Sequence, residues 1–345
     1  MSLTGFIRHD EVAALLDCIV PPVERPQSRP MLAPPRTTHY RLVGTAFDYA
    51  LRFELQRRND HAVGDTWVAE TALPLLGKGI PVRIAGDAVI SQEALTRRAT
   101  TAVREAKAFH KEYLREVDPT PDDRKALAVH ALRLAGIDPV YRAGVIAEDF
   151  DGAHPGDVED LIRLLDVVPW EQLGHPETLL LNPTFGRASG LVGGADADLI
   201  SGDLLIDVKT TKRCVVDRRT LHQLLGYFLL TRLARREEPS FSEVSALGVY
   251  LSRHGLLWTF PTEPVTSNPA FPEVERTFVV LAVALEYGGP FPDLKREALR
   301  KTDWSWLEGL LDVRTEVERY LRDRQVRLAE EALGRLPKEL RELFD

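Results

Sequence analysis

The chain has 345 residues, 44% of them apolar and 28% charged, with a net charge of −8. Such a length buries a large core in one elaborated domain or two, and the composition is that of an ordinary soluble globular protein. No run of about 18 apolar residues occurs, which excludes a membrane-spanning helix, and the first residues lack the basic start and cleavage site of a secretory signal.

The only cysteines, Cys18 and Cys214, fit a reducing cytoplasm and exclude a disulfide framework. Two thiolates also cannot hold an iron–sulfur cluster.

In chain order, residues 10–20 have the period of a short amphipathic helix. Residues 21–35 hold six prolines (Pro21, Pro22, Pro26, Pro30, Pro34, Pro35) and predict an extended arm, read first as a linker. From 41 to 58 the spacing is helical, with Leu42, Phe47, Leu51 and Leu55 expected inside and Arg52, Arg57 and Arg58 outside. Asp48 and Arg52 stand one turn apart, the spacing of a helical salt bridge. Trp67–Leu76 is helical until Gly77-Lys78-Gly79.

Ser91 then caps a helix to about Val117, and Pro121 opens another to about Ala135. Short helices fit Pro155–Val167 and Pro169–Leu173, so residues 81–182 read as an all-helical block. Its first helix has a basic side of Arg97, Arg98, Arg104, Lys107 and Lys111. Leu179–Phe185 leads into a glycine-rich approach, Gly186–Gly194, where positive φ and close chain approach are permitted.

The stretch Gly193–Lys212, GGADADLISGDLLIDVKTTK, carries the chemistry. Two apolar-rich runs, 195–200 and 204–210, joined by Ser201-Gly202-Asp203, predict a tight β-hairpin. Alternation along a strand puts Asp196 and Asp198 on one face and Asp207 on a face with Lys209. Two facing carboxylates that hold a hard divalent cation, with a lysine beside them, suit phosphodiester hydrolysis.

Cys214–Val216 is expected to finish the strand system. Asp217 caps a helix over about 218–236 that places Gln223 and Tyr227 four apart on one face. Residues 245–251 and 256–260 form a second hairpin, with Arg253 and His254 at its surface turn. Helices follow at about 272–286, 304–334 and 337–344.

Several catalytic classes are excluded. In GRASG (186–190) Ser189 is one place too late for a nucleophile elbow, and neither a P-loop nor an H-E-x-x-H motif occurs. The nine histidines show no ligand pairing for zinc.

Asp198, then Asp207-Val208-Lys209, then Gln223 and Tyr227 on the next helix, resemble the PD-(D/E)xK nuclease superfamily in its RecB-like branch. Upstream, Gly44-Thr-Ala-Phe-Asp48 resembles that branch's first-helix motif, with Asp where histidine is usual. The matched pieces span about 40–58 and 183–260. The resemblance implies an α/β restriction-endonuclease-like core, a central mixed sheet flanked by helices, with a large helical insertion and C-terminal helices. The implied segments are an N-terminal helix and arm (1–36), the first part of the core (37–80), the insertion (81–182), the core with the catalytic hairpin (183–290) and the C-terminal helices (291–345).

It further implies Mg²⁺ or Mn²⁺ held by Asp198, Asp207, the Val208 carbonyl and Asp48, with Asp196 competing for the place of Asp198 and Glu54 a weaker candidate. Lys209 would orient water or stabilise developing charge, and Gln223 would position the hairpin or a phosphate. Tyr227 is core by default and Asp203 structural.

From Asp207 to Arg236 eight bases face two acids, and Lys212, Arg213, Arg218 and Arg219 are the candidate phosphate contacts. The implied activity is DNA cleavage in repair, recombination or phage defence. Because the chain has no motor motif, a helicase or ATPase partner is expected. The competing expectations are a degenerate nuclease that binds or scaffolds without cutting, and a hairpin that is only a surface feature of an unrelated α/β protein.

Overall fold

The computed structural model describes residues 2–64, 66–78, 83–85, 91–173, 177–287, 297 and 301–334, and of 83–85, 287, 325–326 and 328–334 the backbone alone. The strands are β1 (Ala62–Gly64), β2 (Arg83–Ala85), β3 (Val145–Ala147), β4 (Leu179–Leu181), β5 (Leu199–Ser201), β6 (Leu204–Lys209), β7 (Ala246–Leu251) and β8 (Leu256–Pro261). Six of them form one mixed sheet in the order β1-β4-β5-β6-β7-β8. β1 runs parallel to β4 and β6 parallel to β7, while the other neighbours are antiparallel.

Helices cover both faces. On one side lie α1 (Leu3–Phe6), α2 (Asp10–Asp17), α9 (Arg187–Leu191), α10 (Arg218–Glu237) and α12 (Phe271–Tyr287), sharing a core with Ile200, Leu205, Leu247 and Val249. The other side carries α3 (Tyr40–Arg58), α4 (Val68–Gly77), α5 (Gln92–Tyr113), α6 (Pro121–Ala143) and α7 (Pro155–Asp166), packed on Leu199, Ile206 and Tyr250. Short α8 (Trp170–Leu173) and α11 (Glu263–Thr266) join elements, and α13 (Val313–Gly334) packs on α12. The chain is therefore α/β, a mixed sheet between two helical layers.

The central hairpin forms as its sequence predicts. Gly202 takes the positive φ of the turn, +61°, and Leu199 pairs with Ile206. The carbonyl of Asp203 accepts from the amides of Ser245 and Ala246 at 2.9 and 3.2 Å, which starts β7 beside β6. Asp203 is structural, as expected. Asp217 caps α10 by accepting from the Thr220 amide at 2.9 Å.

Several expectations fail for identifiable reasons. The block 81–182 is not all helical, because β2 and β3 pair within it in parallel. α6 continues to Ala143, past Gly136 and Pro139. A Cβ at Gly136 would come within 2.4 Å of the Phe150 carbonyl, so close packing rather than helix termination explains this glycine. Cys214–Val216 is not a strand, and the helix expected from 304 begins only at Val313, after a short 3₁₀ turn at Ser305–Leu307. Arg52 is buried and the Arg57 side chain nearly so, because each meets an acid on its own helix. The helix expected at 337–344 lies outside the described residues.

The proline-rich arm is a strap, not a linker. Its Glu24 carbonyl accepts from the Trp258 indole at 3.1 Å, and the amides of Leu32 and Ala33 donate to the Arg253 carbonyl. Arg253 and His254, expected on the surface, are buried beneath it. The Arg253 guanidinium donates to Ala33 O at 2.9 Å and to both oxygens of Asp160, at 2.7 and 3.1 Å, with both residues 1% exposed. Removing one partner of such a pair leaves a buried charge uncompensated. Asp160→Ala is therefore expected to cost about 3–5 kcal/mol of stability, measured by urea unfolding.

Candidate active site

Hairpin register decides the site. Asp198 directly precedes β5 and, by continuation of the Leu199–Ile206 pair, stands opposite Asp207. Its carbonyl accepts from the Asn182 amide at 2.9 Å, and its Oδ2 accepts from the Val208 amide at 2.5 Å. The Val208 carbonyl lies on the same edge of β6 as that amide. Asp207 and Lys209 are in step with Leu205 and so point toward α10.

Asp207 is buried, 2% exposed. The Lys209 Nζ lies 2.7 Å from its Oδ2 and donates to its Oδ1 at 3.1 Å. The same Nζ donates to Gln223 Oε1 at 3.0 Å, and Gln223 Nε2 donates to the Tyr227 hydroxyl at 3.0 Å. Tyr227 rests against Phe185, ring centres 5.9 Å apart. One turn of α10 thus fixes the lysine through a glutamine locked at both ends. The structure brings Asp198, Asp207, Lys209 and Gln223 together.

Burial, reinforced by the nearby carboxylates of Asp207 and Asp48, holds the Asp198 carboxyl well above the usual carboxylate range, against the pull of Lys209 and the Val208 amide. Burial also raises Asp207, opposed by Lys209. For Lys209, burial works against the charge, but Asp207 and Asp198 outweigh it and hold the amine above its ordinary value. The centre is therefore a pair of like charges, Asp207 buried and Asp198 half-buried, with one resident cation.

The remaining candidates divide. Asp48, on α3, is close enough to raise Asp198, yet its own carboxylate takes a 2.6 Å bond from Arg52. A side chain at Gly44, one turn earlier, would meet Thr210 at 3.7 Å, which shows how α3 crosses the end of β6. Asp196 pairs with Thr184 rather than extending β5, and burial raises its carboxyl. Glu54 is not part of the site. It accepts from Arg57, Arg58 and the Tyr113 hydroxyl and lines a separate cleft of about 760 Å³.

Of the basic candidates, Arg213 and Arg219 are exposed. Lys212 donates to the Tyr40 hydroxyl at 2.6 Å and lies 4.0 Å from that ring's centre. Arg218 is bound to Asp17, which also meets His222. Tyr40 and Asp138, whose carboxyl burial raises to about 6, were not singled out in the sequence; Arg52 was, as the one-turn partner of Asp48. The Tyr49 hydroxyl donates to Asp138 at 2.6 Å from 89 residues away, a contact without local signal.

Among the described residues no group of three or more His, Cys, Asp or Glu side chains is gathered to hold a metal ion. The two carboxylates suit a cation that keeps water ligands and takes one or two protein carboxylates, as Mg²⁺ does. Asp207 Oδ2 is consistent with that: it is buried, touched by Lys209, and makes no hydrogen bond of acceptable angle. Asp198, Asp207 and the Val208 carbonyl are the oxygen donors that would hold it.

No helix among the described residues is long and apolar enough to cross a membrane. Comparison with protein-family models, curated proteins and solved structures found no match.

The electrostatics predict a stability effect. An acid whose folded pKa is raised keeps a proton that the unfolded chain has shed, so its contribution falls as pH rises from the usual carboxylate range through the folded pKa. Asp198→Asn keeps the Val208 contact and removes the charge. It should stabilise the metal-free protein at pH 8, with the gain narrowing toward pH 4, in thermal unfolding with EDTA. Mn²⁺ should raise the melting temperature of wild type at pH 8 and leave that of Asp198→Asn unchanged.

Proposed function

We propose that this chain is a divalent-metal-dependent nuclease of the PD-(D/E)xK kind, in its RecB-like branch, with a restriction-endonuclease-like core. The substrate proposed is DNA. The observation that carries this is the opposition of Asp198 and Asp207 across one hairpin, with Lys209 held beside them by Gln223.

A divalent cation held by Asp198, Asp207 and the Val208 carbonyl would supply Lewis acidity toward a phosphate oxygen. The protein's own work is charge placement. Lys209 stays an ammonium, and of its three hydrogens one goes to Asp207 and one to Gln223. The third is left for a phosphate oxygen or for an attacking water, where a fixed donor stabilises developing negative charge. Gln223 positions Lys209 and touches no reacting atom. Exposed Arg213 and Arg219 and the Tyr40–Lys212 pair, near the end of β6, offer the strand's phosphates cations and one aromatic face. A helicase or ATPase partner remains part of the proposal, since the chain carries no motor motif.

The test is cleavage of linear and circular, single- and double-stranded DNA and of RNA with Mg²⁺ or Mn²⁺. Asp207→Ala should abolish turnover, and Lys209→Ala should lower it about 10²–10³-fold, the usual effect of losing a transition-state donor. Gln223→Ala should lower it about tenfold, as expected for an outer-shell positioning group. Binding without cleavage in wild type and both site variants would point instead to a nuclease fold used as a scaffold.

A further inference from the structure

The last turns of α10 wall a second cleft, about 450 Å³, floored by Phe228 and Val244. Arg232, Arg235 and Arg236 line it, against one lining acid, the exposed Glu243. The hydroxyls of Thr231, Thr262 and Thr266 at its border donate to backbone carbonyls, and that of Ser245 to Asp203. The guanidiniums are therefore the donors it presents to a ligand.

Arg232 is fixed in advance. Its Nε donates to Glu275 at 2.7 Å, Glu275 is buried, and the guanidinium lies 5.1 Å from the Phe271 ring centre. That leaves both Nη groups for the cleft. Arg235 donates to the Phe241 carbonyl at 2.8 Å and lies 3.4 Å from Glu243. Arg236 is exposed, one turn beyond Arg232. Like charges at that spacing destabilise a helix, and a shared anion relieves them. The helix dipole favours cations in a last turn. It does not account for a walled cleft onto which three arginines face.

We propose that this cleft binds a phosphate group, from a free nucleotide or pyrophosphate or from a nucleic-acid strand, through the paired N–H groups of Arg232 and Arg236 with Arg235 beside them. Planar guanidiniums match phosphate oxygens two at a time, and the volume is in the range of small-ligand sites. The place is distinct from the hairpin carboxylates. Leu204 pairs with Ala246 at the cleft end of β6, while Lys209 pairs with Leu251 at the other. Five residues of strand separate these ends by about 17 Å. The proposal therefore stands apart from the nuclease reading.

Calorimetric titration with pyrophosphate, and fluorescence anisotropy with a labelled 12-nucleotide DNA, both in EDTA, provide the test. Wild type, Asp207→Ala and the double variant Arg235→Gln/Arg236→Gln are compared. Binding in wild type and Asp207→Ala with at least tenfold weakening in the double variant is expected. Weakening for pyrophosphate identifies a free phosphate as a sufficient ligand; weakening for the oligonucleotide alone identifies a strand. Should the double variant fail to fold, exposed Arg236→Gln carries the same comparison with at least threefold weakening expected. Unchanged affinity in the folded arginine variants, or no binding of either probe by wild type, overturns the proposal.

Discussion

Two carboxylates facing one another across a two-strand turn, Asp207 buried and Asp198 half-buried, are the constraint on which this structure depends. Each is held above its ordinary pKa by burial, and the Asp198 carboxyl is raised further by Asp207 itself. A single ammonium, Lys209, relieves them, and it is positioned by a glutamine from a helix that starts at the Asp217 cap. Such an arrangement is costly for a purely structural hairpin, where an apolar pair would serve better. It suits a centre that gains a cation, because the repulsion then becomes affinity.

The surrounding fold serves that constraint. Hairpin register fixes the opposition of the acids, since a slip of one residue would send Asp207 and Lys209 to the α3 face. Parallel pairing with β7, set by the Asp203 carbonyl, buries β6 in the middle of the sheet. On the opposite face α3 brings Asp48 close to Asp198, and the strapped arm ahead of α3 is anchored through Arg253 and Asp160. The arm and the pair beneath it thus fix the chain a few residues before α3 begins.

The hairpin, α10 and its cap, and the second hairpin were legible because their signals are local: alternation, a glycine turn, and an aspartate before an apolar helix. Alternation placed Asp196 with Asp198 and Asp207 with Lys209, while the choice of Asp198 and the part given to Gln223 rested on the resemblance to PD-(D/E)xK nucleases. What was not legible depends on distant partners. β1 and β4 are three-residue strands whose pairing joins Ala62 to Leu179, and no pattern so short announces itself. Arg52 and Arg253 carry charges that pattern places outside, yet both are buried by acids, one of them 93 residues away. Glu54 shared the helix of Asp48, but Tyr113 and two arginines hold it in another core. Proline content correctly predicted an extended arm and could not show what the arm lies upon.

The most direct measurement is a crystal structure of the protein grown with Mn²⁺, using the anomalous signal to locate the ion. The prediction is a peak within coordination distance of Asp198 and Asp207 oxygens and the Val208 carbonyl, with Lys209 still bonded to Gln223. Mn²⁺ bound elsewhere or not at all, with the two carboxylates unchanged, would contradict the assignment of this hairpin as a metal-dependent catalytic centre.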